Sequence, residues 1–123
     1  MSQHDRQLAP QTRPLSGGEV PFDPGELFYS RTDDRGIIAE GNQVFRRISG
    51  FGWSELKGAP HKLVRHPDMP KGVFYLFWDR LKSGKKMVAY VKNRTKDGRH
   101  YWVTALTWKI PEGYMSVRLK PTT

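Results

Sequence analysis

The spacing of apolar positions changes character along this chain, and each change predicts an element. Leu27-Phe28-Tyr29-Ser30-Arg31-Thr32 reads as a strand, Asp33-Asp34-Arg35-Gly36 as a tight turn, and Ile37-Ile38-Ala39-Glu40 as the partner strand of a hairpin. Helical spacing then takes over at Val44, Phe45 and Ile48, with Asn42 placed to cap the helix and Gly50 to end it. Ser54-Glu55-Leu56 starts a further helical turn stopped by Gly58 and Pro60, and residues 61–68 read as short helical turns or loop around Pro67 and Pro70. Val73, Phe74, Phe77, Trp78 and Leu81 recur at helical spacing up to Ser83-Gly84; Asp68 is placed to cap this long helix, with Pro70 tolerated in its first turn. Three strands follow, Met87–Asn93, Arg99–Ile110 and Tyr114–Lys120, joined by turns at Asp97-Gly98 and Glu112-Gly113. The order β-β-α-α-α-α-β-β-β predicts an α+β fold: a five-stranded antiparallel sheet with helices packed on one face.

Upstream, Pro10, Pro14, Pro21, Pro24 and the Ser16-Gly17-Gly18 run interrupt any periodicity. Residues 1–24 therefore read as a flexible leader that docks at its end through Val20 and Phe22, and residues 25–123 as one domain.

Composition narrows the chemistry. The 123 residues hold no cysteine, which excludes disulfides, thiolate metal sites and cysteine nucleophiles. No apolar run approaches the ~20 residues of a membrane span, and no signal peptide opens the chain, so a soluble cytoplasmic protein is expected. The net charge of +9 is lopsided: residues 1–56 carry −2 and residues 57–123 carry +11. Such a field suits acidic partners, including a phosphorylated cofactor, an acidic protein face or nucleic acid. Arg80, Lys82, Lys85, Lys86, Lys92, Arg94, Lys96 and Arg99 would serve the last of these, but no helix-turn-helix or RNP-like pattern accompanies them, so nucleic acid is not the expected partner. Catalysis is not expected either. Paired loop carboxylates, a nucleophile elbow, metal-ligand spacing and a phosphate-binding glycine loop are all missing, and His61 and His66 sit around a proline at a spacing poor for a metal.

The corner motifs carry a resemblance. Ile48-Ser49-Gly50-Phe51, Ser54-Glu55-Leu56-Lys57-Gly58, Pro60-His61 and Val64-Arg65-His66-Pro67-Asp68-Met69-Pro70 come first. Trp78, Leu81-Lys82, Val91-Lys92-Asn93-Arg94, Lys96-Asp97-Gly98, His100-Tyr101-Trp102-Val103 and Gly113-Tyr114-Met115-Ser116-Val117-Arg118 continue the pattern. Together, over roughly 28 to 120, they resemble a PAS domain, in particular the N-terminal sensor domain of bacterial aerotaxis receptors. The resemblance implies a cytoplasmic sensor holding noncovalent FAD and reporting redox state or oxygen by protein–protein contact. Asn42, Arg65, His66, Asp68 and Asn93 match positions associated with flavin binding in that family. The chain departs from the family at Lys86-Met87-Val88-Ala89, where Pro-Trp-x-Gly is common, so that Met87 stands in place of a tryptophan. It also stops near the end of the expected sheet, which reads as an excised sensor or a single-domain protein acting in trans.

The residues themselves leave alternatives open. Arg65 is a fork-shaped cation suited to a pyrophosphate or carboxylate, or to an ion pair with Asp68 or Glu55. His66 can meet a flavin edge, ligate haem iron or fix the Pro67 turn. Asp68 and Asn42 are helix caps first, with any ligand effect second. Asn93 shares the apolar strand face of Met87, Ala89 and Val91, so its amide should point inward, where its donors and acceptor match an isoalloxazine edge. Trp78, Trp102 and Trp108 can stack on a planar cofactor, but aromatics at these spacings usually fill cores, and at least two of the three are expected there. His100 and Trp102 share a strand face, so one of them competes with solvent or ligand. The alternatives to a flavin sensor are a haem gas sensor ligated by His66 or His61, and a ligand-free module whose outer sheet face forms a homodimer or docks a chemoreceptor or histidine kinase.

Overall fold

The computed structural model describes residues 18–121, so residues 1–17 of the expected leader lie outside the described residues. Five strands form one antiparallel sheet: β1 (Phe28–Thr32), β2 (Ile38–Gly41), β3 (Met87–Arg94), β4 (His100–Ile110) and β5 (Gly113–Leu119), in the order β2-β1-β5-β4-β3. Helices α1 (Gln43–Ser49), α2 (Trp53–Leu56) and α3 (Lys71–Lys82), with a 3-10 turn at His61–Val64, connect β2 to β3. This is the expected architecture, with strand ends shifted by a residue.

Helix α1 begins where the pattern places it. The Asn42 Oδ1 accepts from the amides of Phe45 and Tyr29, both at 3.2 Å, and its Nδ2 donates to the Leu27 carbonyl at 3.0 Å. The amide therefore caps the helix and ties it to the start of β1. Gly50, at φ 78°, closes the helix in the left-handed region.

Helix α3 does not begin where the pattern places it. Asp68 is not its cap: the helix starts at Lys71 behind Pro70, which holds an extended backbone (ψ 136°) and supplies no side-chain cap. Proline also pushes the residue before it away from helical backbone. The segment before Pro70 thus folds as a turn, with the Met69 amide donating to the His66 carbonyl at 3.1 Å. Asp68 is left too far upstream to reach the first free amides of the helix.

The inner face of the sheet has a filled half and an open half. Phe28, Tyr101 and Val103 pack beneath Phe45 and Ile48 of α1, Phe51, Leu56 of α2 and Val64, and Val20 and Phe22 complete this cluster. Contact with the sheet starts upstream of the boundary expected at residue 24: the Val20 amide donates to the His100 carbonyl, and the His100 amide to that of Gly18, each at 2.8 Å. Further along the strands the inward side chains become small: Ser30 and Thr32 on β1, Ala105 and Thr107 on β4, Ser116 on β5. Beneath α3, these side chains leave space.

The expectation that two of three tryptophans are core is overturned. Trp102 and Trp108 alternate out of register with the buried Tyr101, Val103, Ala105 and Thr107, so both sit half-buried on the outer face. There Trp102 stacks on Tyr90, with ring centroids 4.6 Å apart and planes within 13°. Trp78 is also half-buried, and faces the open half of the inner side.

Candidate functional site

The open half of the inner face is a cavity of about 250 Å³. Its floor is sheet: Ser30, Thr32, Val91, Asn93, Ala105, Thr107, Ser116 and Arg118. Its roof is α3, through Phe74, Phe77 and Trp78 at helical spacing, and its rim is Arg35, Pro60, His61, Lys62 and Arg65. Among the described residues no carboxylate lines it, whereas four cations do. Trp78 is fixed there by an edge contact to Tyr114, ring centroids 5.0 Å apart.

Arg118 is the most deeply placed cation, 2 % exposed. β5 carries it inward between Ala105 of β4 and Phe28 of β1. Its Nη2 donates to the Ser30 hydroxyl at 2.9 Å, and its Nη1 to His61 Nε2 at 3.0 Å and the Ser116 hydroxyl at 3.5 Å. Among the described residues its Nε has no partner. The Phe45 ring lies 4.6 Å from the guanidinium carbon. Burial lowers Arg118 to about 10, so it remains charged at neutral pH. His61 is half-buried, with part of its surface on the cavity. Burial first, and the Arg118 charge second, hold its imidazole down to about 3. It is therefore neutral, and Nε2 is its accepting nitrogen. His61 also stacks on Phe45, with planes within 6°.

Asn93 is inward and buried, 4 % exposed, opposite Tyr101 in the β3–β4 register. The Tyr101 phenol lies within reach of the Arg118 charge; burial pushes it up to about 12, with Arg118 pulling the other way.

Arg65 sits at the rim, where its backbone forms an isolated bridge with Asn93. Neither expected ion pair forms. Glu55 pairs with Lys96 at 2.6 Å, Asp68 pairs with Lys92 at 3.2 Å, and the Arg65 guanidinium lies 4.4 Å over the Phe74 ring. Arg65 and Lys62 also line a neighbouring hollow with Leu63, His66, Pro67, Met69, Lys71 and Arg94. Four of the residues lining that hollow, Lys62, Arg65, Lys71 and Arg94, are cations, and again no carboxylate lines it among the described residues.

The remaining predicted site residues lie apart from the cavity wall. His66 is buried on the 65–69 turn; its Nδ1 accepts from the Asp68 amide at 3.0 Å and its own amide donates to the Lys92 carbonyl at 3.2 Å. It fixes the Pro67 turn, and burial, followed by the Lys92 charge, lowers its pKa. Asp68 is exposed, held by Lys92, and Asn42 spends its amide on backbone. Of the residues expected at the site, Arg65, Trp78 and Asn93 line the cavity; Arg118, Ser30 and the inward role of His61 were not expected there. The available signal was the run of small polar residues at alternate positions, Ser30-x-Thr32 and Ala105-x-Thr107, facing an arginine that alternation turns inward.

Among the described residues, no helix is long and apolar enough to cross a membrane, and no group of three or more His, Asp and Glu could hold a metal ion.

Residues 38–111 match the family model described as the PAS fold. The sequence is 44% identical over 108 residues to the aerotaxis receptor of Escherichia coli (strain K12), covering 84% of this chain and 21% of that protein. It is 28% identical over 82 residues to the biofilm dispersion protein BdlA of Pseudomonas aeruginosa, covering 66% and 20%. The chain thus spans about a fifth of the length of these curated relatives. Among solved structures, the blue-light activated histidine kinase of Erythrobacter litoralis EL346 superposes with a TM-score of 0.66 at 13% identity, over 79% of this chain and 33% of that one. A light-oxygen-voltage domain whose mechanism was addressed with a flavin analogue gives 0.64 at 20% identity, over 78% and 76%. At such identities these structures share the fold alone.

Proposed function

Since the chain belongs to the PAS fold family, we propose that it is a sensory module that binds FAD noncovalently, reads redox state or oxygen through it, and relays the state by protein–protein contact. The observation that carries this reading is the pair of adjoining hollows. One is ring-sized, at about 250 Å³; sites that engulf a whole drug-sized ligand run to about 300–1,000 Å³. The other is lined by four cations, Lys62, Arg65, Lys71 and Arg94, of which Lys62 and Arg65 line both. A flat ring in the first and a pyrophosphate over the second is the division of a flavin dinucleotide. Kinship with an aerotaxis receptor supports the same reading, as does a fold shared with a domain studied through a flavin analogue.

In this reading Asn93 meets the polar edge of the ring, Trp78 covers a face, and Arg65 holds the pyrophosphate in a bidentate contact. His66 and Asp68 act indirectly, by setting the turn that presents Arg65, and Asn42 by anchoring α1 to β1. A bound flavin supplies the redox chemistry, and its change of hydrogen-bonding pattern on reduction is what an inward carboxamide can register. A haem is less well served. Of its two candidate axial ligands, His61 spends Nε2 on Arg118, and His66 lines the second hollow rather than the cavity, with its Nδ1 taken by the Asp68 amide. The module acts by binding rather than turnover. A cytoplasmic location, self-association through the outer sheet face, and a chemoreceptor or histidine kinase as partner complete the proposal.

The test is direct. The purified chain, or the chain mixed with FAD and desalted, is expected to absorb near about 450 nm, where bound flavin does. A sample that stays colourless after incubation with FAD refutes the reading, and one that takes up haemin alone replaces it with the gas sensor.

A further inference from the structure

A buried charge normally has a counter-charge. Removing an ion from water costs several kcal/mol even after relaxation, and a good ion pair is what offsets it. Among the described residues Arg118 has none: its three acceptors, His61, Ser30 and Ser116, are neutral, its Nε is unpartnered, and no carboxylate lines the cavity it faces. The aromatic rings of Phe45 and Phe28 recover only part of that cost. The acceptors are arranged to hold the guanidinium rather than to neutralise it. Because Arg118 can only donate, His61 is held in the neutral tautomer whose Nε2 is unprotonated. The fold therefore keeps a desolvated cation facing an open cavity.

We infer that Arg118 is the ligand-anchoring residue of the cavity: it receives the electron-rich carbonyl edge of a bound planar heterocycle, which supplies the negative charge density that the protein withholds. This rests on the flavin reading for the identity of the ring, and goes beyond it in assigning the recognition of that ring to a residue outside the 65–70 corner and the β3 asparagine.

Two signs follow, and they are opposite. Exchanging a buried, uncompensated ion for an apolar side chain of similar length relieves its desolvation cost, and the Ser30 hydroxyl, already 3.1 Å from His61 Nε2, can donate there in place of Arg118. R118M is thus expected to keep or raise the thermal midpoint of the ligand-free protein. The same change removes a charge-assisted hydrogen bond to the ligand, so flavin affinity falls by about ten- to a hundredfold. Riboflavin has the ring without phosphate, so R118M weakens riboflavin and FAD by the same factor, whereas R65A weakens FAD alone. R118K keeps the charge without the fork, and its riboflavin affinity falls between those of wild type and R118M.

The experiment is calorimetric titration of wild type, R118M, R118K and R65A with FAD and riboflavin, alongside melting of the ligand-free proteins. A fall in ligand-free stability of R118M, or unchanged riboflavin affinity in it, overturns the anchor and shows Arg118 to be structural. Should R118M not fold, R118K decides, and a riboflavin affinity equal to wild type overturns the anchor. If wild type binds neither flavin, the flavin reading falls; the anchor then stands where R118M is more stable without ligand and falls where it is less stable.

Discussion

A histidine whose Nε2 accepts from an arginine cannot take a proton there without losing that bond, and this gives His61 a pH signature. Its pKa is held at about 3 in the folded protein, against an ordinary value of about 6.5 when unfolded. Between these values the unfolded chain binds a proton that the native state refuses, so stability is full above about pH 6.5 and is lost as pH falls toward 3. H61Q keeps an acceptor for Arg118 without a titrating group. Urea denaturation from pH 7 to 4 is expected to show wild type losing stability faster than H61Q, by up to about 1.4 kcal/mol per pH unit. His66 and the stabilised carboxylates titrate in both proteins, so the difference between the curves belongs to His61; parallel curves would mean that His61 is not held neutral. None of this was legible in the sequence, where His61 stood only as a poor metal ligand or a haem candidate. A histidine held neutral is defined by what surrounds it, and its partners Ser30 and Arg118 come from opposite ends of the chain. Asn93 was legible, because strand alternation puts it on the face of Val91 and Ala89 without any knowledge of its neighbours.

At the scale of elements, two residues that looked alike in sequence separate cleanly. Asn42 and Asp68 each precede a helical pattern and are good capping types. Asn42 caps α1 and also holds β1, whereas Asp68 is cut off from α3 by Pro70. N42A is therefore expected to destabilise by about 1–2 kcal/mol, the upper part of the range for a lost cap. D68A is expected to cost under about 1 kcal/mol, since it removes only an ion pair whose carboxylate is exposed. Chemical denaturation of the two variants side by side checks the order, and equal losses would return Asp68 to a capping role. The boundaries of α1 could be read because its cap and its terminal glycine act locally. The start of α3 could not, because the same proline that suits a first helical turn also suits the position just before one. The ψ angle chooses between them.

For the whole molecule, the sheet's topology was readable because turn residues and alternating apolar positions repeat along the chain. The division of labour between its two faces was not. At least two of Trp78, Trp102 and Trp108 were expected in the core by their spacing, but the face that carries Trp102 and Trp108 is set by the register of Tyr101 and Val103, and it turns both outward. That outer face is apolar across three strands: Val88 and Tyr90 on β3, Leu106 on β4 and Leu119 on β5 are exposed, beside the stacked Tyr90–Trp102 pair. An exposed apolar patch of this continuity is what the proposed self-association needs. The cavity lies on the opposite side, so the two activities should separate by mutation. The double variant Y90K/L106K is expected to sediment as a monomer at concentrations where wild type is dimeric, with its FAD affinity within about twofold of wild type, since surface changes away from packed features move stability little. R118M is expected to behave in the reverse manner, losing flavin affinity while remaining dimeric. Sedimentation velocity across a concentration series, run with and without FAD, reads both. A wild type that stays monomeric throughout removes the outer face as a dimer surface and leaves a signalling partner as its remaining occupant. A dimer that dissociates or tightens on adding FAD would mean that the two faces communicate, and the small inward residues of β4 and β5, which carry the cavity floor on one side and the patch on the other, are then where the coupling has to pass.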